Sequence, residues 1–296
     1  MKRRSLGLIY GSIAAVSYGT NPLFALPLYA NRIGVNSVLF YRYGLALLIY
    51  GLWLKFIKKE SLAIPKKAIL PLFIMGLFFS LSSLLLFEAF NYIEAGIACT
   101  LLFVYPVFVA VIMALFFKEK TDKNIIISLL LTSCGISFLY KNTTGASLNI
   151  KGVIIVMLAS LFYALYLIGV KKIKTLRNIK PNILSFYVML FGLTVYIYNL
   201  DFCTELQMLS KPSLWLYACG LAIIPTIISL ETITLAVKLI GSTKTALLGS
   251  LEPLTALFIG VAVFHENLTL RIIFGVILIL IGVSLIVIKK DKKCLN

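Results

Sequence analysis

LGLIYGSIAAVSYGTNPLFALPLYA, residues Leu6–Ala30, runs 25 residues without one charge. An α-helix rises about 1.5 Å per residue, so ~20 apolar residues cross a hydrocarbon core of ~30 Å. The stretch is too long for a signal peptide and no small-residue cleavage site follows it, so it reads as an uncleaved span. Nine more apolar blocks follow, near 34–54, 68–90, 95–117, 124–140, 152–170, 182–200, 213–237, 243–264 and 270–288, with short polar joints between them. Hydrophobic residues make up 60% of 296 positions and the mean hydropathy is +1.01. A soluble domain of this length carries more polar surface. Blocks this long, without period-2 alternation, are helices rather than barrel strands. The expected fold is an all-α integral membrane protein of ten transmembrane helices.

Lys and Arg set the orientation, because cytoplasmic joints accumulate them. With the N-terminus inside, the inner joints hold 22 of them, including Lys55, Lys58, Lys59, Lys171, Lys172, Lys180, Lys238 and Lys244. The outer joints hold 5, namely Arg32, Lys141, Lys151, Lys211 and Arg271, and Arg42 is left within a span. Both termini are therefore expected in the cytoplasm. The net charge of +17 fits this bias and an anionic inner leaflet. Cations scattered over six joints do not form a nucleic-acid-binding surface. Five cysteines without CxxC spacing and a single histidine, His265, leave no zinc site and no Ser-His-Asp triad, so no metal or cofactor is expected.

The chain also repeats itself. Span four carries Tyr105-Pro106 and ends at Phe117-Lys118-Glu119; span nine carries Glu252-Pro253 and ends at Phe264-His265-Glu266. In each, a proline precedes a glutamate by 13 residues. At nearly the same offset, Gly7, Ala14 and Tyr18 fall on Gly152, Ala159 and Tyr163, and Phe40-Tyr41-Arg42 falls on Ser185-Phe186-Tyr187. The chain reads as a five-span unit used twice, 1–146 and 147–296. Five is odd, so the second unit enters the membrane from the opposite side. Inverted halves around a central midplane cavity are the architecture of secondary transporters.

The segments Phe40-Tyr41-Arg42-Tyr43-Gly44-Leu45-Ala46, Tyr105-Pro106 … Glu119, Glu252-Pro253 … Glu266 and Tyr163-Ala164-Leu165-Tyr166 resemble the drug/metabolite transporter superfamily, in its ten-helix EamA-type branch. The resemblance covers residues ~5–290 and implies a 5+5 inverted-repeat bundle that exports amino acids, other small metabolites or drugs. Glu252 departs from it, because a neutral residue is expected before that proline.

Ionisable groups in hydrocarbon cost ~2.5–3.5 kcal/mol at a helix centre, so each needs a reason. Arg42, Glu88, Glu231 and Glu252 stand in spans. Helical rise places Glu252 ~14 Å deep and Arg42 ~12 Å deep, with Glu88 near the outer end of its span and Glu231 near an inner end. Glu252 reads as a proton carrier or a counter-charge for a cationic substrate, against a protonated packing residue; Glu231 and Glu88 are further proton-coupling candidates. Arg42 reads as a carboxylate anchor, against a structural ion pair with Glu88 or a snorkel toward the outer surface. A guanidinium keeps its charge whatever the pH, so arginine is no proton carrier.

Tyr18, Tyr105, Tyr163 and Tyr166 lie too deep for an interfacial belt and, with Asn21, suit a substrate cavity. Pro106 and Pro253 each remove a mid-span donor and are expected as hinges. Gly7, Gly11, Ala15 and Gly19 step by four along one face, a close-packing stripe. Glu119 and Glu266 fall at opposite mouths, as caps or gates, or as solvated helix ends.

No GxxxxGK[ST] pattern occurs, which excludes a P-loop pump. The expected function is a secondary exporter of small amphipathic metabolites, coupled to protons or solute exchange and working by alternating access. The alternative is a passive channel or facilitator. A lipid enzyme would need clustered acids or metal ligands, which the chain disperses. The expected partners are a small-molecule substrate and membrane lipid, with no nucleic acid, in a monomer or weak dimer of a bacterial inner membrane.

Overall fold

A computed structural model describes the backbone of residues 2–117, six positions between 127 and 138, and 149–292; side chains at 2–3, 241–244, 246–247 and 283–292 are not described. Among the described residues the structure is helical, with no strand. In chain order the helices are α1 Lys2–Gly19, α2 Asn21–Ala30, α3 Val35–Leu52, α4 Lys66–Ala89, α5 Ala95–Leu102 and α6 Tyr105–Phe117. After the segment that includes 127–138 come α7 Ile150–Lys172, α8 Lys174–Arg177, α9 Pro181–Asn199, α10 Pro212–Ala222, α11 Ser229–Leu248, α12 Leu251–Phe264 and α13 Leu270–Lys292. Two π-helical stretches, Trp53–Ile57 and Ile223–Ile228, extend α3 and join α10 to α11.

Among the described residues, six helical stretches are long and apolar enough to cross a bilayer: Val35–Ile57, Lys66–Ala89, Ala95–Phe117, Ile150–Lys172, Pro181–Asn199 and Pro212–Ile240. Leu251–Phe264 and Leu270–Gly282 are apolar but shorter. The distribution of side chains is that of a membrane bundle. Phe56, Phe116, Leu216, Phe258 and Leu270 are exposed, while Asn21, Arg42, Ser80, Ser83, Thr100, Ser160, Thr226 and Glu252 are buried. Apolar groups face lipid, and polar groups face one another where they can find partners.

Three apolar blocks that read as single spans are interrupted. Leu6–Ala30 divides at Thr20, because Pro22 has no N–H to continue the ladder. The Thr20 hydroxyl donates to the Ser17 carbonyl at 2.6 Å and closes the first half. The fourth block divides at Phe103–Val104 and the ninth at Gly249–Ser250. Pro106 and Pro253 therefore stand in the first turns of α6 and α12, not in the middle of continuous helices. First-turn N–H groups have no intrahelical acceptor, so proline costs little there. The carbonyl one turn before Pro106, that of Leu102, accepts from Ser160 Oγ at 3.0 Å.

Helix directions follow from glycine contacts. Gly192 lies against Tyr43 and Gly51 against Phe186, so α3 and α9 run antiparallel. Gly96 lies against Leu257, and farther along α6 and α12 Tyr105 and Glu252 meet at one cavity, so this pair is antiparallel too. Gly135 lies against Gly275 and Ile279, while Arg271 Nε donates to the Phe138 carbonyl at 3.0 Å, giving a third antiparallel pair. The glycine stripe of α1 packs as close contact requires. Gly7 meets Leu239 and Ile240, Gly11 meets Leu248, and Gly19 meets the Glu252 carbonyl and Thr255. Ala14 accepts from Ser229 Oγ at 3.0 Å. Partners of α1 thus come from 229–240 and 248 of α11 and from 252–255 of α12.

The joints collect at two ends. At one end Lys180 Nζ meets Glu60 at 2.6 Å, Tyr187 Oη donates to the Leu62 carbonyl at 2.7 Å, and Lys238 Nζ donates to the Ile179 carbonyl at 2.7 Å. At the other, Gln207 accepts from the Gly34 amide, Tyr41 Oη donates to the Gln207 carbonyl at 3.1 Å, and Lys211 Nζ donates to Asn31 at 3.1 Å. The first end carries Lys180 and Lys238, two of the lysines counted above as inner.

Candidate substrate and proton site

Where the interrupted helices meet, a cavity of about 10 Å³ is lined by α1 (Gly11, Ala14, Ala15, Tyr18), Tyr105 of α6, Tyr163 of α7, and Ser229, Ile233, Thr245, Gly249 and Glu252. That is room for about one water molecule. A metabolite pocket is typically ~300–1,000 Å³, so this cavity is too small for a metabolite in this conformation.

Aromatic rings form the wall. Tyr18 and Tyr163, matched by the repeat, stack on one another with centroids 6.3 Å apart and planes 14° apart. Tyr105 meets Tyr163 edge-on at 4.7 Å. Tyr166 continues the stack at 6.1 Å from Tyr163 and packs on Phe79 at 5.1 Å, but does not line the cavity. Such pairs contribute ~0.5–1.5 kcal/mol each beyond area burial.

Glu252 stands in the first turn of α12, is 3% exposed, and its Oε1 has no hydrogen-bond partner. An ionised carboxylate taken out of water unpaired costs several kcal/mol. A proton or a cationic ligand removes that cost. The positive end of the α12 dipole offsets part of it.

Arg42 is 0% exposed and is held differently. Its Nε donates to Thr226 Oγ1 at 2.6 Å and its Nη2 to the Pro225 carbonyl at 3.4 Å, while Nη1 has no partner. Thr226 Oγ1 donates onward to the Leu221 carbonyl at 2.8 Å, the one that Pro225, lacking an N–H, leaves without its usual donor. The π-helical stretch over Pro225 thus makes the Arg42 seat. The guanidinium carbon lies 5.2–5.8 Å from the ring centroids of Phe87, Tyr43 and Tyr18. Its seat is this relay and not Glu88; the salt-bridge contacts described do not include Arg42. Arg42 does not line the cavity itself but lies against Tyr18, which does.

The remaining candidates separate. Asn21 is buried with both amide atoms unpartnered, outside the cavity lining. Glu88, half-buried, takes an amide contact from Asn91 at 3.5 Å near the Gln207 end. Glu231 sits near Tyr50 and Lys58 towards the lysine-rich end. Neither joins Glu252. Glu119 lies outside the described residues. Sequence reading passed over Ser229, Thr245 and Gly249, which read as ordinary small helix residues, and marked Pro225-Thr226 without giving Thr226 a role. The signal for Thr226 was its place directly after Pro225 in an apolar run.

The EamA-like transporter family matches residues 5–141 and again 150–288. The chain belongs to this family. An "Uncharacterized transporter" of Archaeoglobus fulgidus is 26% identical over 190 residues, 64% of this chain and 66% of that protein. The match thus spans just under two thirds of that relative's length. A crystal structure with 15% sequence identity aligns over 98% of this chain and 99% of its own, with a TM-score of 0.70, and shares the fold. The chain is a multi-pass membrane protein of a transporter family, and the family and its relative name a transporter rather than an enzyme.

Proposed function

We propose that this EamA-family protein is a secondary active transporter that exports small amphipathic metabolites, amino acids or related compounds or drugs, by alternating access. Protons or solute exchange drive it. The observation that carries the reading is Glu252: a buried carboxyl with an unpartnered oxygen, facing a tyrosine-walled cavity between antiparallel half-helices.

The proposed architecture is a 5+5 inverted repeat, 1–146 and 147–296, with both termini cytoplasmic in a bacterial inner membrane. The antiparallel packing of α3 on α9, of α5 on α12, and of the 127–138 segment on α13 supports inversion. Halves related by an axis normal to the membrane would bring equivalent helices together parallel. The gathering of inner lysines at one end supports the orientation.

In the cycle, Glu252 takes a proton or the cationic group of the substrate, and the faces of Tyr18, Tyr105 and Tyr163 hold the apolar body. Pro106 and Pro253 mark the joints about which α5/α6 and α12 change angle. Growth of the cavity from one water to a metabolite requires such movement. Glu88 and Glu231 stand at opposite ends as secondary proton stations. The partners are substrate and lipid, for a monomer or weak dimer.

A thermal-shift screen against amino acids, nucleosides and cationic dyes identifies the ligand. Inverted vesicles then measure its uptake driven by a pH gradient. Glu252→Gln is expected to abolish that uptake; unchanged coupling ends the assignment.

A further inference from the structure

Beyond α12 the chain makes an unusual return. His265 takes φ 57° and ψ 32°, the left-handed region, and the Glu266 amide donates back to the Gly260 carbonyl at 2.9 Å. The Glu266 side chain thereby lies over the last turn of α12. A Cβ on Gly260 would collide with its carboxylate, so only glycine leaves the passage open. The carboxylate ends at the start of α5. Its Oε1 accepts from the Ala95 amide at 3.1 Å and its Oε2 from the Gly96 amide at 3.4 Å. A Cβ on Gly96 would sit 3.0 Å from Oε2. Glu94, at the N-cap of α5, makes no side-chain cap. The cap comes instead from 171 residues away, from the other repeat.

Helix N-termini carry unpaired N–H groups and a partial positive charge, so a carboxylate there is a strong tie. Here it ties the far ends of the two half-helix pairs, α5/α6 and α12, whose near ends bear Tyr105 and Glu252. Burial, reinforced by the Glu94 carboxylate, pushes the Glu266 carboxyl above the ordinary range, against the pull of the two amides.

We propose that Glu266 is a latch: its carboxylate holds α5 against α12 and keeps the Gln207 end of the bundle shut, and it must leave the α5 N-terminus whenever that end opens. This rests on the alternating-access reading above, but its test involves neither substrate nor flux.

Cys99 is a built-in reporter, buried in α5 one turn from Gly96. With Cys134, Cys203, Cys219 and Cys294 replaced by serine, its reaction with a charged, membrane-impermeant methanethiosulfonate measures opening. Glu266→Gln keeps the shape but loses the charge and one acceptor, and is expected to speed labelling about tenfold, as loss of a charge-assisted cap implies. Gly96→Ala, which keeps Glu266 but crowds its carboxylate and Leu257 alike, is expected to speed it in the same direction. Unchanged rates in both folded variants, checked by gel filtration and melting temperature, overturn the latch. If Glu266→Gln does not fold, Glu266→Asp, which keeps the charge but is one methylene too short to reach both amides, decides: faster labelling is expected, and an unchanged rate overturns the latch. A latch failure with intact Glu252-dependent uptake leaves the transport reading standing; the reverse result leaves the latch standing.

Discussion

Arg42 and Glu252 are both charged side chains sealed inside the bundle, and they are treated in opposite ways. Arg42 has a built seat: a π-helical stretch, a threonine relay, a proline carbonyl and three aromatic faces. Glu252 has an unpartnered oxygen and an opening beside it. On the proposed function, that difference separates a structural charge from a working one. Two hydrogen bonds across helices let the Arg42 charge hold elements together even with Nη1 unpartnered, whereas the free oxygen of Glu252 borders an opening and, in that reading, is kept for what it binds.

Four measurements break or sharpen that contrast. The largest expected effect is on transport. Glu252→Gln should lower proton-driven flux by more than ~100-fold yet leave the melting temperature unchanged or raised, because a neutral amide is cheaper to bury. A clear loss of stability would place Glu252 with Arg42 as structural. Next, Arg42→Lys keeps the charge but loses the planar fork, and should destabilise the detergent-solubilised protein by ~1.5–3 kcal/mol. Stability equal to wild type would mean that the seat contributes nothing.

Thr226→Val removes the acceptor of Arg42 Nε at nearly constant volume. It should cost ~1–3 kcal/mol. Combined with Arg42→Lys it should cost less than the sum, since both break one relay. Additive losses would show that the two side chains act independently.

The smallest effect is expected where a charge pair faces water. Lys180 donates to Glu60 and holds its carboxyl below the usual range. A carboxyl lowered on folding adds stability above its unfolded value of ~4.3, and that stability is lost as pH falls through the lowered one. Glu60→Gln should shift the melting temperature by no more than ~2 °C near neutrality, because exposed pairs contribute little. The difference should vanish in acid; a shift that persists there would not come from the ion pair.

Much of this was legible from the chain itself. The later apolar blocks announced membrane spans such as Lys66–Ala89 and Ile150–Lys172, whereas Leu6–Ala30 read the same way but divides at Thr20, and the recurring proline–glutamate spacing announced duplication. Tyr18, Tyr105, Tyr163 and Glu252 were singled out by depth, and they share one cavity. Tyr166, Arg42 and Asn21 were singled out the same way, yet they lie behind it. Depth along a helix follows from counting residues, but the direction a side chain faces depends on what packs alongside. The breaks before Pro106 and Pro253 were not foreseen, for a related reason. Proline shows that a donor is missing, not whether the helix kinks around it or begins anew.

Sequence by itself determined the solvent, the helical class and the family, because hydropathy and repeat spacing are properties of the chain read one residue at a time. Tertiary structure alone decided that Thr226 seats Arg42, that Glu266 caps a helix in the other repeat, and that an oxygen of Glu252 is left without a partner. Hydrogen bonds between residues more than 170 positions apart depend on how helices are rotated against one another. No local pattern encodes that rotation.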